Sequence, residues 1–475
     1  MQPYLNFDWL QNTATEHVIG YDVDCFQLFA FLKSRYATCY LFESLALPRH
    51  QDRFFTLGFD PCVVITAQQN TLQLSGDRAV LHRLTGHEGR DSVSYQVNNP
   101  YRFVQEQCVF DLPCRLQQGG LIGYLCHEAV NYFEPSLGLT EHADFSNFCF
   151  GLYSDGLVFD TTTGTLSYYS FHQDRVDLVK ALVAEAQAYV IPDTLVSVVF
   201  EGHSATREDF LAAVERTKDK IRQGFSFQSE VGFKSHYHIQ GDKVAIYNRL
   251  REVNPSPYMF YVKFGEQELF GASPEVLISC KQGQVLTTPT AGTIVRGEDP
   301  QQDVQLARQL LNDPKEIAEH NMLVDLHRND VARVCQPGSV QVADLMYIIK
   351  FSHVQHIVSN VIGTLRDDQS AFDALAAIFP GGVVTGAPKI ETIKIIGDNE
   401  NAPRGPYGGA VGRFSFNGDC DFCLPIRSIF CAGDRCFAQT SAGVVYDSVP
   451  EREYAELTNK LAAMRQTLHE LGAGL

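Results

Sequence analysis

The chain has 475 residues, 45% of them apolar and 20% charged, with 38 basic and 56 acidic side chains. That length exceeds the usual prior for one domain and offers ample core material. A net charge of −18 excludes a nucleic-acid or anionic-membrane surface, which needs clustered Lys and Arg, but leaves room for a local basic pocket that takes an acidic metabolite.

"MQPYLNFDWL" has neither the basic nor the apolar part of a signal peptide, and no run reaches the ~18 apolar residues of a membrane span. Thirteen scattered cysteines, an odd count, point to reduced thiols in a cytoplasmic protein.

Residues 1–200 read as a strand-rich lobe. "ATCYLFESLAL", "FTLGFDPCVVITAQ", "NTLQLSG", "GLIGYLCHE" and "FCFGLYSDGLVFDTTTGTLSYYSF" are short apolar runs broken by Gly, Asp and Asn, the pattern of antiparallel sheet. "LVKALVAEAQAYVIPD" is a helix ended by Pro. The best linker is "IPDTL" near Ile191; it separates either two domains or two lobes sharing one core. Thr206 then caps a helix with Asp209 in its first turn. Phe210, Val214 and Ile221 form its apolar stripe, Thr217 interrupts it, and Gly224 stops it. From Gln228 to the end, within a second unit 201–475, strands and helices alternate. "QQDVQLARQLLND", "SAFDALAAIF" and "PEREYAELTNKLAAMRQTLHEL" are helical, and Asp313-Pro314 starts another helix as N-cap and first residue.

That helix places Glu316, Glu319, His320 and Leu323 on one face, and the last helix places Glu453, Glu456 and Lys460 on one face beside Leu457 and Leu461. Two E-x-x-E pairs are either solvated faces or, if they converge, four carboxylates that need a hard cation such as Mg²⁺. "FPGGVVTGAPK" surrounds Thr385 with glycines whose N–H groups suit an anion or a plain tight turn, and it is not a P-loop. "TSAGVVYDS" reads as a second small-residue turn. Arg427 in the strand-like "LPIRS" needs a partner, either a bound carboxylate or a salt bridge. Tyr407 sits among glycines, and His356 is a candidate acid or base. Cys420, Cys423, Cys431 and Cys436 mimic zinc spacing, but the segment reads as two strands around an "AGD" turn, whose alternating side chains keep the sulfurs apart. Cys126-His127 reads as a buried thiol beside a diverging neighbour rather than a nucleophile.

"NPSPYMFY", "LFGASPE", "PTAGTIVRG", "DPKEIAEHNMLVDLHRNDVARV", "HVQHIVS", "FPGGVVTGAPK", "YGGAVG", "IRS" and "AGVVYDSVPEREYAELTNK" occur in one order, dense from Gln223 to Leu468. Together they resemble the chorismate-utilising enzymes, most of all the large subunit of anthranilate synthase. The resemblance implies an α+β fold, a large antiparallel β-sandwich flanked by helices, and a carbon–oxygen lyase acting on chorismate. It implies Glu319 and Glu456 as direct Mg²⁺ ligands, and Glu316 and Glu453 as ligands through water. Arg427 and Tyr407 would bind the enolpyruvyl carboxylate with backbone N–H groups near Ala442 and Gly443, and Lys460 would lie beside the ring carboxylate. His356 would protonate the departing hydroxyl, with Thr385 and Glu316 also in the catalytic set and Gly386, Ala291 and Thr293 lining the pocket. Ser441 stands where the family usually has Gly, and Pro425 departs from the pattern before Arg427.

The water-adding relatives carry Lys at the position of Gln228, as base for a poor nucleophile. The aminodeoxychorismate synthases carry Lys at the position of Ala291, as covalent nucleophile. With neither lysine, the resemblance implies ammonia adding at C2 and loss of pyruvate to give anthranilate, for tryptophan biosynthesis. Aminodeoxychorismate synthase, aminodeoxyisochorismate synthase and a non-catalytic paralogue remain the alternatives. No amidotransferase nucleophile motif is present, so ammonia is expected from a separate glutamine amidotransferase subunit. "LFES" and "NPSPYMF" resemble the family's tryptophan-feedback site, implying Glu43, Ser44, Pro257, Tyr258 and Met259, with Phe42 replacing the usual Leu.

Overall fold

The computed structural model describes residues 4–46, 54–191, 196–351 and 354–471; residues 192–195 of the "IPDTL" linker lie outside them. Two twelve-stranded antiparallel sheets form the centre. In the first, Thr38–Glu43, Tyr258–Phe264, Gln267–Ser273, Ser428–Ala432, Arg435–Val444 and Gln228–Gln240 follow one another in space. In the second, Cys420–Cys423, Ala410–Phe414 and Gly120–Leu125 are neighbours, and Thr290–Val295 pairs with Val354–Thr364 at one edge. Each sheet draws strands from both halves of the chain.

The sheets face each other through one aromatic-rich cluster, where Tyr40, Phe260 and Phe430 meet Ile122, Tyr124 and Val411. Helices cover both outer faces. Cys25–Arg35, Val176–Gln187 and Val244–Val253 pack on the first sheet, and Pro314–Ala332 and Ala371–Ile378 on the second. The architecture is the α+β sandwich that the sequence resemblance implied.

The N-terminal strands form where the apolar runs placed them, but this half also carries helices Cys25–Arg35, Arg78–Thr85 and Pro100–Gln107. Their start signals are Asp24, Asp77 and Asn99, each accepting from an N-terminal N–H. The Arg207–Arg222 helix opens with the expected cap at Thr206, which forms a full capping box with Asp209. Thr217 does not break its buried stripe: it is fully buried and receives the Asn399 amide at 3.4 Å.

The cysteine expectation needs one correction. Cys431 and Cys436 lie directly opposite each other in the Ser428–Ala432/Arg435–Val444 hairpin and pair as a disulfide. The other eleven described cysteines are free. Cys420 and Cys423 belong to the other sheet, which is why the four sulfurs do not meet.

Helices Arg207–Arg222 and Pro450–Leu471 pack together on the Gln228–Gln240/Arg435–Val444 pair, through Phe210, Val214, Val231, Ala442, Leu457 and Leu461. Leu457 is fully buried there and sits one residue from Glu456. Leu457→Ala should therefore cost about 2–5 kcal/mol in urea unfolding, as other large-to-small core changes do. The same loosening should lower activity more than an equally destabilising change in the Cys25–Arg35 helix.

Candidate active site

The site is built where the start of Gln228–Gln240 pairs with the end of Arg435–Val444, with Glu230 opposite Gly443 and Val231 opposite Ala442. The Thr440–Val444 stretch is strand rather than the expected turn, because it is needed to complete this ladder. Beyond Ala438 the strand has a neighbour on one side only, so alternate N–H groups of its last residues are free of the sheet. At Gly443 a Cβ would stand 2.5 Å from Gln228 Nε2 and 2.7 Å from Glu230 Oε1, so a side chain there would displace these two side-chain ends. Gly386, at φ +108°, lies against the backbone of Gln228 at a distance that no Cβ would tolerate.

Glu316 and Glu319 approach from the Pro314–Ala332 helix, and Glu453 and Glu456 from the Pro450–Leu471 helix. Burial and then Glu319 push the Glu316 carboxyl above its ordinary value, with a further contribution from Glu456 across the gap. Burial also raises Glu453, and Glu456 adds to it. The two pairs therefore share one electrostatic neighbourhood. Among the described residues, however, no three carboxylates or other ligands close to metal-holding distance. Glu319 instead receives Gln228 Nε2 at 3.0 Å, and Glu456 holds Lys460 Nζ at 2.9 Å. Burial opposes the charge of Lys460, but Glu230 and Glu456 outweigh it and raise the ammonium. Mutually repelling, all-oxygen donors on two facing helices fit a hard divalent cation.

Arg427 lies in the crossover from Cys420–Cys423 in one sheet to Ser428–Ala432 in the other, not in a strand as expected. Pro425 sits in the same crossover, where no ladder N–H is required, and Arg427 takes a left-handed φ of +51°. Its Nη2 donates to His356 Nε2 at 3.2 Å. Since His356 Nδ1 faces the Gly292 carbonyl at 3.0 Å, Nδ1 carries the proton and Nε2 is the acceptor. Burial and then Arg427 push His356 down to about 3, so the imidazole is neutral. Thr293 Oγ1 completes the contact at 3.1 Å. Gly292 makes a bulge at φ +66°, and a Cβ there would stand 3.0 Å from Glu316 Oε2. Gly292 thus borders the acidic cluster, with Ala291 next to it in the strand.

Tyr407 is buried in the turn before Ala410–Phe414, and its hydroxyl lies 3.0 Å from Ser441 Oγ. Ser441 Oγ in turn lies 2.5 Å from Glu230 Oε2. Thr385 spends its hydroxyl on the Gly381 carbonyl at 3.0 Å, while its own carbonyl accepts from Glu230 N. Lys389 is structural, since Asp330 and the Ile378 carbonyl take its ammonium. Cys126 is buried and burial pushes its thiol far up, which makes it inert.

Sequence reasoning missed Glu230 and Arg404. Gln228 and Glu230 share one strand face at i, i+2, which was the available signal for the first. Arg404 gave none beyond a basic residue between Pro403 and Gly405.

Glu43, Ser44, Pro257, Tyr258 and Met259 are brought together, because Glu43 pairs with Met259 across adjacent strands. They line a cavity of about 900 Å³ between the sheets. The Glu43 carboxylate itself is held by Arg251 at 2.7 Å and Tyr247 at 2.9 Å. Ser44 Oγ is buried and has no hydrogen-bond partner among the described residues.

Residues 38–466 match the model of the chorismate binding enzymes, and the chain belongs to that family. More particularly, it is 40% identical over 450 residues to anthranilate synthase component 1 of Leptospira biflexa, covering 94% of each chain. It is 38% identical over 452 residues to the protein of that name from Methanothermobacter thermautotrophicus, covering 94% of this chain and 93% of the other. It superposes on the crystal structure of anthranilate synthase component I from Streptococcus pneumoniae TIGR4 with a TM-score of 0.73 and 31% identity, over 90% of this chain and 94% of that one. The isochorismate synthase MenF from Escherichia coli shares the fold at 18% identity and a TM-score of 0.70, over 97% of this chain and 95% of that one.

Arg404 offers a direct test of how the site is held. Its guanidinium, 2% exposed, grips Glu400 through two donors at 2.6 and 2.9 Å. Arg404→Met should cost about 3–5 kcal/mol in urea unfolding by leaving the Glu400 carboxylate without its countercharge, with only the Gly232 N–H and Gln439 Nε2 still donating to it. The Arg404→Met, Glu400→Gln double variant should cost less than the sum of the single changes, by about 0.5–3 kcal/mol.

Proposed function

We propose that this chain is a component 1-type anthranilate synthase, which aminates chorismate at C2 with ammonia and eliminates pyruvate. The observation that carries the reading is the pair Gln228 and Ala291. Gln228 lies on Glu319, and Ala291 is the chain neighbour of Gly292, whose bulge lies against Glu316. A lysine at either would supply a base or a competing nucleophile to the ring; an amide and a methyl supply neither.

In this reading Arg427 and the Tyr407 hydroxyl bind the enolpyruvyl carboxylate, with strand-end N–H groups near Ala442 and Gly443. Lys460 lies beside the ring carboxylate. Glu319 and Glu456 would hold Mg²⁺ directly, with Glu316 and Glu453 doing so through water; the bound ion would neutralise that carboxylate. When the substrate carboxylate engages Arg427, the guanidinium is drawn from His356 Nε2 and its charge is balanced. The imidazole is then free to carry a proton on Nε2 and pass it to the departing ring hydroxyl, which leaves as water. Ammonia forms the C2–N bond as the C4–O bond breaks, and release of pyruvate aromatises the ring. The ammonia would come from a separate glutamine amidotransferase subunit. Tryptophan would be the inhibitor, bound in the cavity beside Ser44, Pro257 and Tyr258, with Glu43 fixing the strand beneath it.

Purified chain with chorismate, Mg²⁺ and an ammonium salt should give anthranilate and pyruvate, resolved by chromatography and fluorescence. Aminodeoxychorismate as the product would sink the reading. Glu456→Ala should cut turnover more than about a hundredfold, because even groups that only support metal ligands are worth about 10–100-fold. Ala291→Lys should abolish or redirect amination, and unchanged anthranilate formation in that variant would reduce Ala291 to filler.

A further inference from the structure

The hydrogen-bond chain Tyr407–Ser441–Glu230 has two possible directions, and only one suits an anionic ligand. With Glu230 ionised, Ser441 donates to the carboxylate, the Tyr407 hydroxyl donates to Ser441, and Tyr407 turns its lone pairs outward. With Glu230 protonated, Glu230 donates to Ser441, Ser441 donates to Tyr407, and the phenolic proton is free for a ligand oxygen. The distances of 2.5 Å and 3.0 Å allow both. We propose that Glu230 is a positioning residue that sets the direction of this chain, so that binding of the substrate's enolpyruvyl carboxylate is coupled to uptake of one proton by Glu230. The inference rests on the assignment of that carboxylate to Tyr407.

The surroundings put the switch within reach of neutral pH. Burial pushes the Glu230 carboxyl up to about 7, against the pull of Lys460 and the Ser441 hydroxyl. Glu319 from the Pro314–Ala332 helix and Glu456 from the Pro450–Leu471 helix add to the rise while no cation balances them; burial, the larger cause, persists when Mg²⁺ is bound. On its own strand, Gln228 Nε2 stands 3.4 Å from Oε1. From the loop before Ala410–Phe414, Arg404 donates to the Glu230 carbonyl at 2.8 Å, and Glu400 balances that guanidinium. Tyr407, raised to about 12 by burial, keeps its proton throughout. Ser441 is the member that makes the relay; a residue without a hydroxyl would leave Tyr407 and Glu230 unconnected.

The sign follows directly. Glu230 loses its proton as pH rises through about 7, so chorismate affinity should fall over that interval. Isothermal titration of the full chain with chorismate and Mg²⁺, without an ammonia source, reads this without turnover. Between pH 6.5 and 8.5 the wild-type Kd should rise about tenfold, roughly the loss of one hydrogen bond to a charged group. At pH 8, paired buffers of different ionisation enthalpy should show net proton uptake on binding. Glu230→Gln donates permanently to Ser441, and Ser441→Gly cuts the chain; both should flatten the Kd profile and abolish the uptake. A flat wild-type profile, or a slope that survives in Ser441→Gly, overturns the inference while leaving the functional reading intact. Absence of chorismate binding by the folded wild type at every pH overturns the functional reading, and this inference with it.

Discussion

Arg404 is 2% exposed, and a guanidinium so deeply placed must satisfy its donors within the protein. It spends two on Glu400, one on the Val384 carbonyl of the glycine-rich turn and one on the Glu230 carbonyl of the central strand. Its plane lies over the Tyr407 ring, 5.5 Å from the centroid. One side chain thus ties together the turn that carries Thr385, the strand that carries Gln228 and Glu230, and Tyr407. The desolvation cost of Arg404 is offset only if all these partners stay in place, so the site is rigid because a buried charge requires it.

The remaining site charges are deliberately less satisfied. Glu316 and Glu453 are raised by burial and by their neighbours, while Lys460 and Gln228 occupy Glu456 and Glu319. Arg427 is desolvated and has a neutral imidazole as its close side-chain partner, with Glu275 exerting a more distant pull. Such an arrangement suits the proposed reading, in which a cation would sit among the glutamates and an anion at Arg427. The cations of the site, Arg427 and Lys460, are local features of a chain whose net charge is −18, and Lys460 lies against Glu456 of the acidic cluster itself.

The sequence made legible whatever depended on local spacing. The paired glutamates lie on helix faces because i, i+3 spacing forces it, and Asp313, Pro314, Thr206 and Asp209 start helices by the chemistry of their own side chains. The N-terminal strands were visible as apolar runs, whereas the three helices among them were signalled only by Asp24, Asp77 and Asn99. What stayed hidden required knowledge of which strands are neighbours. Ser441 became a link in a relay only once Gly232 lay opposite it and Glu230 stood two residues away on the same strand. Arg427 was misread as a strand residue because an apolar flank does not reveal that the chain is passing between sheets. Cys431 and Cys436 were expected on two strands with their sulfurs apart, because alternation alone does not give the register that sets these two face to face.

Ala291 shows why context decides the meaning of a small residue. Its neighbour Gly292 bulges at positive φ, which aims the Gly292 carbonyl at His356 Nδ1 and fixes the imidazole tautomer. A Cβ on Gly292 would meet Glu316 at 3.0 Å, so the same bulge is also pressed against the acidic cluster. The two-residue step Ala291-Gly292 therefore connects the proton-carrying end of the site to the carboxylate end. Keeping position 291 to a single methyl leaves the space above that connection free of side-chain nitrogen. In the proposed reaction an external nitrogen nucleophile would use that space, while His356 takes the carbonyl that the bulge supplies. Both features fall on one edge strand, whose register with Val354–Thr364 holds them in place.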